Sequence, residues 1–333
     1  MAFVIDSAEW DFNGWTSSDV QHVIEGLLDQ LAHIAENREE VWVGDDLQTR
    51  AVYKGMDLWR LRDVESEIQL DDEVWQELAA HLGRIPRYLD DEDRWPDGID
   101  DFCIAIGSEA ARDNIDVAWA HHHIRARKAV ACLGLKRRGP LQTTTKSGTA
   151  DVHWIRDEAS EVDFWQSAIV VEGDTKDVLE RLCHRAYPNL HFAHNVLHNA
   201  DQFNGGYYSN LPQLKHYLKT LNEHGIWVFT APPPAENRND PAGTATIDPT
   251  AQLIQRRFEL LGLVIAPENP DVFRNGVCRR AREIVIGGRS LYCEWHCKLQ
   301  AHQNRVHIHS PVIESEGKLV IAIIARHLPL PGD

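Results

Sequence analysis

The sequence predicts an α+β protein in which a mixed, mostly helical N-terminal body precedes a C-terminal antiparallel β-sheet. Near the N-terminus, apolar side chains recur at helical spacing, namely Val20, Val23, Ile24, Leu27, Leu28, Leu31 and Ile34. Residues 289–309 instead alternate apolar and polar side chains with a period of two, which is typical of strands with one buried face. In a chain of 333 residues these patterns indicate two domains, which we place at residues 1–150 and 151–333.

The composition is that of a globular chain, with 43% hydrophobic residues and 11 Trp. It contains no apolar run of about 18 residues, so we expect no membrane-spanning helix. The N-terminus lacks the basic start and long apolar core of a signal peptide, which favours a cytoplasmic protein. The six Cys form no CxxC pair, so we expect reduced thiols, no structural zinc and no cofactor.

The charge is unevenly distributed. The net charge of −17 opposes non-specific binding to nucleic acid, which depends on positive charge. Two basic islands interrupt this acidic background, at residues 124–138 and 274–289. Each island is either a solvated face that balances nearby acids or part of a groove that faces phosphates.

The N-terminal body is predicted to contain three helices. Ser18 and Gln21 form the pattern of a capping box for the first helix, and Gly83 ends the second, which begins near Asp71 or Asp72. Residues 108–135 read as mainly helical, and the three consecutive His at 121–123 are expected to be exposed, because neighbours on a helix point about 100° apart. Residues 139–151 have the composition of a loop, and the domain boundary is placed there.

The C-terminal domain is predicted to alternate helices and strands before it ends in a meander. We expect strands near 152–158 and 168–172, helices at 175–187, 190–203 and 212–224, a buried strand at 226–230, a Pro-rich loop at 231–249 and a helix at 250–262. The closing sheet is expected to contain 283–286, 290–299, 305–312 and 318–326. The last strand is almost wholly apolar, so it should be central.

The polar face of this sheet carries the candidate chemistry. Cleavage of RNA by its own 2′-hydroxyl needs a base, an acid and a positive charge for the developing anion. We expect His296 and His307 as acid and base, with Glu294 as their orienting group and Lys298 and Arg305 on the phosphate. His309 completes the catalytic set, and the residues expected to bind substrate are Tyr292, Arg279, Arg280, Arg289, Arg326 and His327.

Two other interpretations remain open. Glu294, His296, His307 and His309 are the ligand types that cupin-like sheets use for divalent metals, although cations beside a metal repel it unless an anionic substrate neutralises them. Alternatively, the face is a solvated or docking surface of a non-catalytic adaptor, and the acidic segment 90–101 meets a basic partner.

The C-terminal region, residues 226–333, resembles the RelE/ParE toxin superfamily. Those domains end in a strand of the form RIHF, a turn and a strand of the form iiIGyiGkHL, which are similar to residues 305–309 and 321–328 here. The resemblance implies an RNase-like sheet with Lys298, Arg305, His307 and Arg326 at matching positions. Such toxins are typically basic, whereas this chain is acidic.

These observations together predict metal-independent RNA cleavage, or binding of RNA or a nucleotide, in a bacterial toxin or anti-phage defence system. Similar chain endings occur in bacterial proteins from phage-defence and toxin–antitoxin loci, so a protein partner from such an operon is a further expectation. The sequence does not indicate which oligomeric state the protein adopts.

Overall fold

The computed structural model describes residues 2–63, 66–232, 248–301 and 303–332. The chain divides into two compact units, Met1–Asp174 (unit 1) and Thr175–Asp333 (unit 2). The boundary predicted after residue 150 lies inside a strand, because residues 139–155 form a β-hairpin and not a loop.

Unit 1 is built on a seven-stranded mixed sheet, which the prediction of a mixed, mostly helical N-terminal body did not include. The described strands of unit 1, including two that lie outside this sheet, are β1 (Ala2–Ile5), β2 (Glu40–Trp42), β3 (Ala51–Tyr53), β4 (Met56–Asp57), β5 (Cys103–Ile106), β6 (Arg112–Asp113), β7 (Val130–Leu133), β8 (Gly139–Thr145) and β9 (Gly148–Ile155). The order in the sheet is β2-β1-β7-β9-β8-β5-β6, and β3 pairs with β4 separately. Strands β2, β1, β7 and β9 are parallel, and the rest pair antiparallel.

The helices of unit 1 are α1 (Ser17–Glu36), α2 (Asp72–Leu82), α3 (Ile115–Arg125) and α4 (Glu158–Val171), with 3₁₀ turns at Ser7–Glu9, Trp59–Arg62, Tyr88–Asp90 and Glu92–Arg94. The predicted apolar stripe of α1 is confirmed, since all seven of its residues are buried. The capping box is formed by Thr16 and Asp19, and not by Ser18 and Gln21. The strand predicted at 168–172 is the end of α4, where a short apolar run fits either structure.

The three consecutive His on α3 are buried, which corrects the expectation that they are exposed. Helix α3 packs on several strands of the sheet, so its surroundings are protein on most sides. Each imidazole has its own partner: His121 meets Thr143 Oγ1, His122 the Asp101 carbonyl and His123 the Arg94 carbonyl. These hydrogen bonds offset the free-energy cost of burying three polar side chains.

Unit 2 contains a five-stranded sheet in the order β10-β16-β15-β14-β11, with a separate hairpin β12-β13. The strands are β10 (Leu190–Phe192), β11 (Ile265–Pro267), β12 (Glu283–Ile286), β13 (Arg289–Tyr292), β14 (Trp295–Gln300), β15 (Gln303–His309) and β16 (Leu319–Ala325). The helices are α5 (Lys176–Ala186), α6 (Gly206–Val228), α7 (Ala251–Leu260), α8 (Pro270–Arg274) and α9 (Gly276–Arg280), with 3₁₀ turns at Val196–Gln202 and Ile313–Ser315.

The closing strand β16 is central, as predicted, because β15 pairs with it on one side and β10 on the other. The predicted strand 290–299 is interrupted. Its first part is β13, which pairs with β12 through a turn at Gly287 and Gly288, both at positive φ. Its second part is β14, which lies in the five-stranded sheet.

Two further predictions in unit 2 are wrong. Residues 226–230 form the end of α6 and not a strand, because the buried positions of that helix continue through Leu221, Gly225 and Val228 at helical spacing. The RelE-like order of elements had relied on that strand. Residues 190–203 form β10 and a 3₁₀ turn instead of a helix. Of the predicted Pro-rich loop, residues 233–247 lie outside the described residues, as does His302.

In the part of the chain that the structure describes, no helix is both long and apolar enough to cross a lipid bilayer.

Candidate functional site

Two of the predicted residues, His296 and His307, lie directly opposite each other on β14 and β15. Their ring centroids are 5.5 Å apart. The alternation of the strands explains the pairing, since each imidazole is on the same face of its strand as the neighbouring cation, Lys298 or Arg305. Both imidazoles are buried, however, with 4% of His296 and 0% of His307 exposed.

Glu268 brings a carboxylate to this pair. It follows the edge strand β11, which pairs antiparallel with β14, and its N–H donates to the carbonyl of Glu294 at 2.8 Å. The backbone thus holds Glu268 beside the imidazoles. Its Oε1 atom lies 3.3 Å from Nδ1 of His296 and 3.6 Å from Nδ1 of His307.

A buried guanidinium completes the cluster. Nε of Arg282 lies 2.9 Å from Oε1 of Glu268, and the two side chains are only 1% and 5% exposed. Arg282 also donates from Nη1 to the carbonyls of Cys278 and Pro329, each at 3.0 Å. These contacts fix the guanidinium in place, so it orients Glu268. We call Glu268, Arg282, His296 and His307 the buried cluster.

The charges of the buried cluster follow from its surroundings. Burial by itself raises the pKa of Glu268, but the adjacent His296 and Arg282 side chains outweigh it and lower the pKa to about 2. Burial and the neighbouring His296 lower the pKa of His307 to about 3. At neutral pH the carboxyl is therefore ionised and His307 is neutral.

Several polar atoms of the buried cluster have no hydrogen-bond partner among the described residues. They are Oε1 of Glu268, Nε of Arg282, Nδ1 of His296 and both ring nitrogens of His307. The close approach of Arg282 to Glu268 is therefore an ion pair without the geometry of a hydrogen bond. Buried polar atoms are normally satisfied, which makes this group unusual.

A cavity of about 440 Å³ lies next to the buried cluster. Its lining residues are Gln213, Tyr217, Val264, Lys298, Leu299, Gln300, Ala301 and Arg305. Lys298 and Arg305 are cross-strand neighbours, so two cations face one space. Nη1 of Arg305 donates to Nε2 of His296 at 3.0 Å, which connects the cavity to the buried cluster.

The other predicted site residues are not among the described residues that line the cavity, although Tyr292 is near the buried cluster, where burial and the charge of Glu268 raise the pKa of its phenol. Tyr292 lies on β13 with its ring 5.0 Å from that of Phe273, and Glu294 is exposed between β13 and β14. His309 lies further along β15, beyond a register shift, with Nδ1 2.8 Å from the Ser310 carbonyl.

The basic residues of the predicted substrate groove either form ion pairs with acidic side chains or lie away from the cavity. Arg279 pairs with Glu283 at 2.7 Å, and Arg289 pairs with Glu314 at 3.1 Å. Arg280 is exposed at the end of α9, and Arg326 and His327 are exposed after β16. None of these five lines the cavity beside Lys298 and Arg305.

The sequence reasoning missed Glu268 and Arg282. Both come from short segments between helices and strands. The position of Glu268 depends on the pairing of β11 with β14, and that of Arg282 on its bonds to Cys278, Cys293 and Pro329. The one local signal was the apolar pair Val264 and Ile265 before Pro267, which is consistent with a short edge strand.

Unit 1 contains a second polar site that the sequence reasoning missed. Ser7 follows β1, and its N–H donates to Oδ2 of Asp116 at 3.0 Å, while Tyr88 donates to Oδ1 of Asp116 at 2.7 Å. The Ser7 hydroxyl also bonds to Asp116. Burial raises the pKa of Asp116 to about 6. A crevice of about 330 Å³ opens beside Ser7 and is lined by Ser7, Asp45, Asp46, Arg50, Leu89, Phe102, Asp113, Asn114 and Ile115.

Comparison with models of protein families, with curated proteins and with solved structures gives no match to this chain.

Proposed function

We propose that unit 2 binds phosphate groups of RNA or of a nucleotide in the cavity lined by Lys298 and Arg305. The observation that supports this is the composition of the lining, which contains two cations and no carboxylate among the described residues. A guanidinium and an ammonium on adjacent strands are suited to a phosphate, because both donate charge-assisted hydrogen bonds to its oxygens.

The position of Arg305 supports a role in fixing the phosphate. Its Nη1 atom already donates to Nε2 of His296, so part of the guanidinium is held while the rest faces the cavity. In this proposal His296 acts through Arg305 as a positioning residue.

Binding is a better match to the geometry than acid and base catalysis by the two imidazoles. His307 has no exposed surface, and the Glu294 side chain is exposed whereas both imidazoles are buried. A general acid or base must come within hydrogen-bonding reach of its substrate. We therefore assign His307 no contact with RNA, and we assign phosphate binding to Lys298 and Arg305.

The experiment measures binding of a labelled single-stranded RNA to the full chain by fluorescence anisotropy at several salt concentrations. Lys298→Ala is expected to weaken binding roughly tenfold and to reduce the salt slope by about 0.7, because one phosphate contact is lost. Lys318→Ala is the matched control, since Lys318 lies just before β16 and pairs with Glu316. Equal losses in the two variants would reject the cavity as the binding site.

The role in a bacterial toxin or anti-phage system is proposed on the resemblance of residues 305–309 and 321–328 to RelE/ParE endings. It is tested by inducing the full chain in bacteria and following growth and RNA integrity. The proposal expects growth arrest that Lys298→Ala relieves at an equal protein level. If the wild-type chain and Lys298→Ala arrest growth to the same extent, the toxicity does not depend on the cavity.

The crevice of unit 1 favours a second candidate function, the binding of a nucleotide through its sugar. The crevice lies at the carboxyl ends of β1 and β2, next to the point where the order of the parallel strands reverses, and ligands of open α/β sheets bind at such points. Asp45, Asp46 and Asp113 can accept hydrogen bonds from ribose hydroxyls. Calorimetry of the full chain with nucleotides should show binding that Asp46→Asn abolishes. Asp151→Asn is the control and should leave binding unchanged, because Asp151 is an exposed residue on β9.

A further inference from the structure

We propose that Glu268, His296 and His307 hold a divalent transition-metal ion. Each residue offers one ligand atom, and these atoms lie within 4.8 Å of one another. Oε1 of Glu268 is 3.3 Å from Nδ1 of His296 and 3.6 Å from Nδ1 of His307. Bonds of about 2.0–2.1 Å in tetrahedral geometry separate neighbouring ligand atoms by roughly 3.3 Å, so the observed spacing is close to that of an assembled site.

The unsatisfied atoms of the buried cluster are a second and independent observation. His307 is 0% exposed, yet neither of its ring nitrogens has a hydrogen-bond partner in the described part of the chain. Nδ1 of His296 and Oε1 of Glu268 are in the same state and lie next to it. One ion bound between the three residues satisfies an atom of each, which no single side chain here does.

The donor set indicates the class of metal. Two imidazoles and one carboxylate suit Zn²⁺, Fe²⁺ and related first-row ions, whereas Mg²⁺ and Ca²⁺ prefer oxygen ligands alone. Arg282 lies 2.9 Å from the Glu268 oxygen and so acts as the partner that orients a ligating carboxylate. His296 and His307 were both in the metal interpretation of the sequence, whereas Glu268 takes the place of Glu294 and His309 has no part in this site.

Binding of the ion has a consequence for Arg305. A neutral imidazole carries a proton on one nitrogen only, so a metal on Nδ1 leaves Nε2 of His296 protonated. Nε2 then no longer accepts the bond that Arg305 donates at 3.0 Å. The Nη1 donor of Arg305 is then available to a phosphate oxygen in the cavity, which Arg305 and Lys298 both line.

This change at Arg305 couples the ion to the phosphate, a step that rests on the proposed function. The ion adds two positive charges beside Arg282 and Arg305, and a phosphate in the cavity offsets them. The coupling is reciprocal, because each ligand must raise the affinity of the other by the same factor.

The test uses the full chain, treated with a chelator, desalted and titrated with Zn²⁺. Calorimetry and elemental analysis after gel filtration should find one equivalent, and Co²⁺ in its place should give visible absorption bands. Glu268→Gln keeps the shape of the side chain and should lose the equivalent. Glu294→Gln is the matched control, because Glu294 is adjacent in space but exposed.

The outcomes are separable. If the folded wild-type chain takes up no equivalent, or if Glu268→Gln and His307→Gln both retain it, the metal site is rejected. RNA affinity of the Zn²⁺-loaded chain should exceed that of the chelated chain several-fold, and equal affinities reject the coupling to Arg305. If the chain binds no metal but its RNA binding still depends on Lys298, the metal site is rejected and the proposal of phosphate binding is retained.

Discussion

Arg282 and Glu268 form an ion pair with almost no contact with solvent, with Nε and Oε1 2.9 Å apart and side-chain exposures of 1% and 5%. Removing two charges from water is unfavourable, and their attraction offsets this only when further partners are present. Here the carbonyls of Cys278 and Pro329 are the additional acceptors for Arg282. The pair therefore connects α9, the chain after β16 and the segment after β11.

Replacement of Arg282 by Met should lower the free energy of unfolding by about 3–5 kcal/mol, because it leaves the Glu268 carboxylate buried without its cation. Urea unfolding of the full chain measures the loss. Arg279→Met is the control, since Arg279 is exposed and its pair with Glu283 should contribute no more than about 1 kcal/mol. The double variant Glu268→Gln with Arg282→Met should recover part of the loss. A loss no larger than that of the control would contradict this account.

The stability of unit 1 should decrease in mild acid because of His121. This side chain is 0% exposed, and burial lowers its pKa from 6.5 to about 4. Between these two pH values the unfolded chain binds the proton more readily than the folded chain does. The free energy of unfolding that the neutral His121 imidazole contributes is therefore fully present above pH 6.5. It is lost as the pH falls from 6.5 to 4, by up to about 3 kcal/mol.

The measurement compares the pH dependence of urea unfolding in the wild-type chain and in His121→Gln. The variant should lose less stability between pH 6.5 and 4, since the titrating group is gone. The exposed His22 provides the control His22→Gln, which should follow the wild-type curve. Parallel curves for His121→Gln and the wild type would show that this imidazole does not govern the effect.

Gly225 should resist substitution although it lies inside helix α6. A Cβ atom at this position would lie 2.9 Å from Cδ2 of Leu319 on β16, closer than real contacts allow. Gly225→Ala is therefore expected to destabilise the chain by about 1–3 kcal/mol, because overpacking outweighs the better helix propensity of Ala. In helix α1, a Cβ at Gly26 meets no described heavy atom within 4 Å, so Gly26→Ala should stabilise by about 0.5–1 kcal/mol. Thermal unfolding of both variants gives the comparison, and equal shifts of the same sign would refute it.

Local patterns predicted those elements whose signal lies within a single segment. The apolar stripe of α1, from Val20 to Ile34, recurs over about four turns, and the apolar run of β16 marks a strand with neighbours on both sides. The alternation on β14 and β15 also predicted that His296 and His307 share one face, and the register of the two strands places them opposite each other. Short apolar runs were ambiguous, and 168–172 and 226–230 proved to be helix ends because the flanking helical pattern continued through them.

The sequence by itself determined the periodic elements and the residue types on the polar face of the closing strands. The tertiary structure decided which of those groups are accessible and which partners they have. Glu268 reaches His296 and His307 through the pairing of β11 with β14, and Arg282 reaches Glu268 from the segment between α9 and β12. Such contacts depend on which segments bury their apolar faces together, and no single stretch of sequence contains that information.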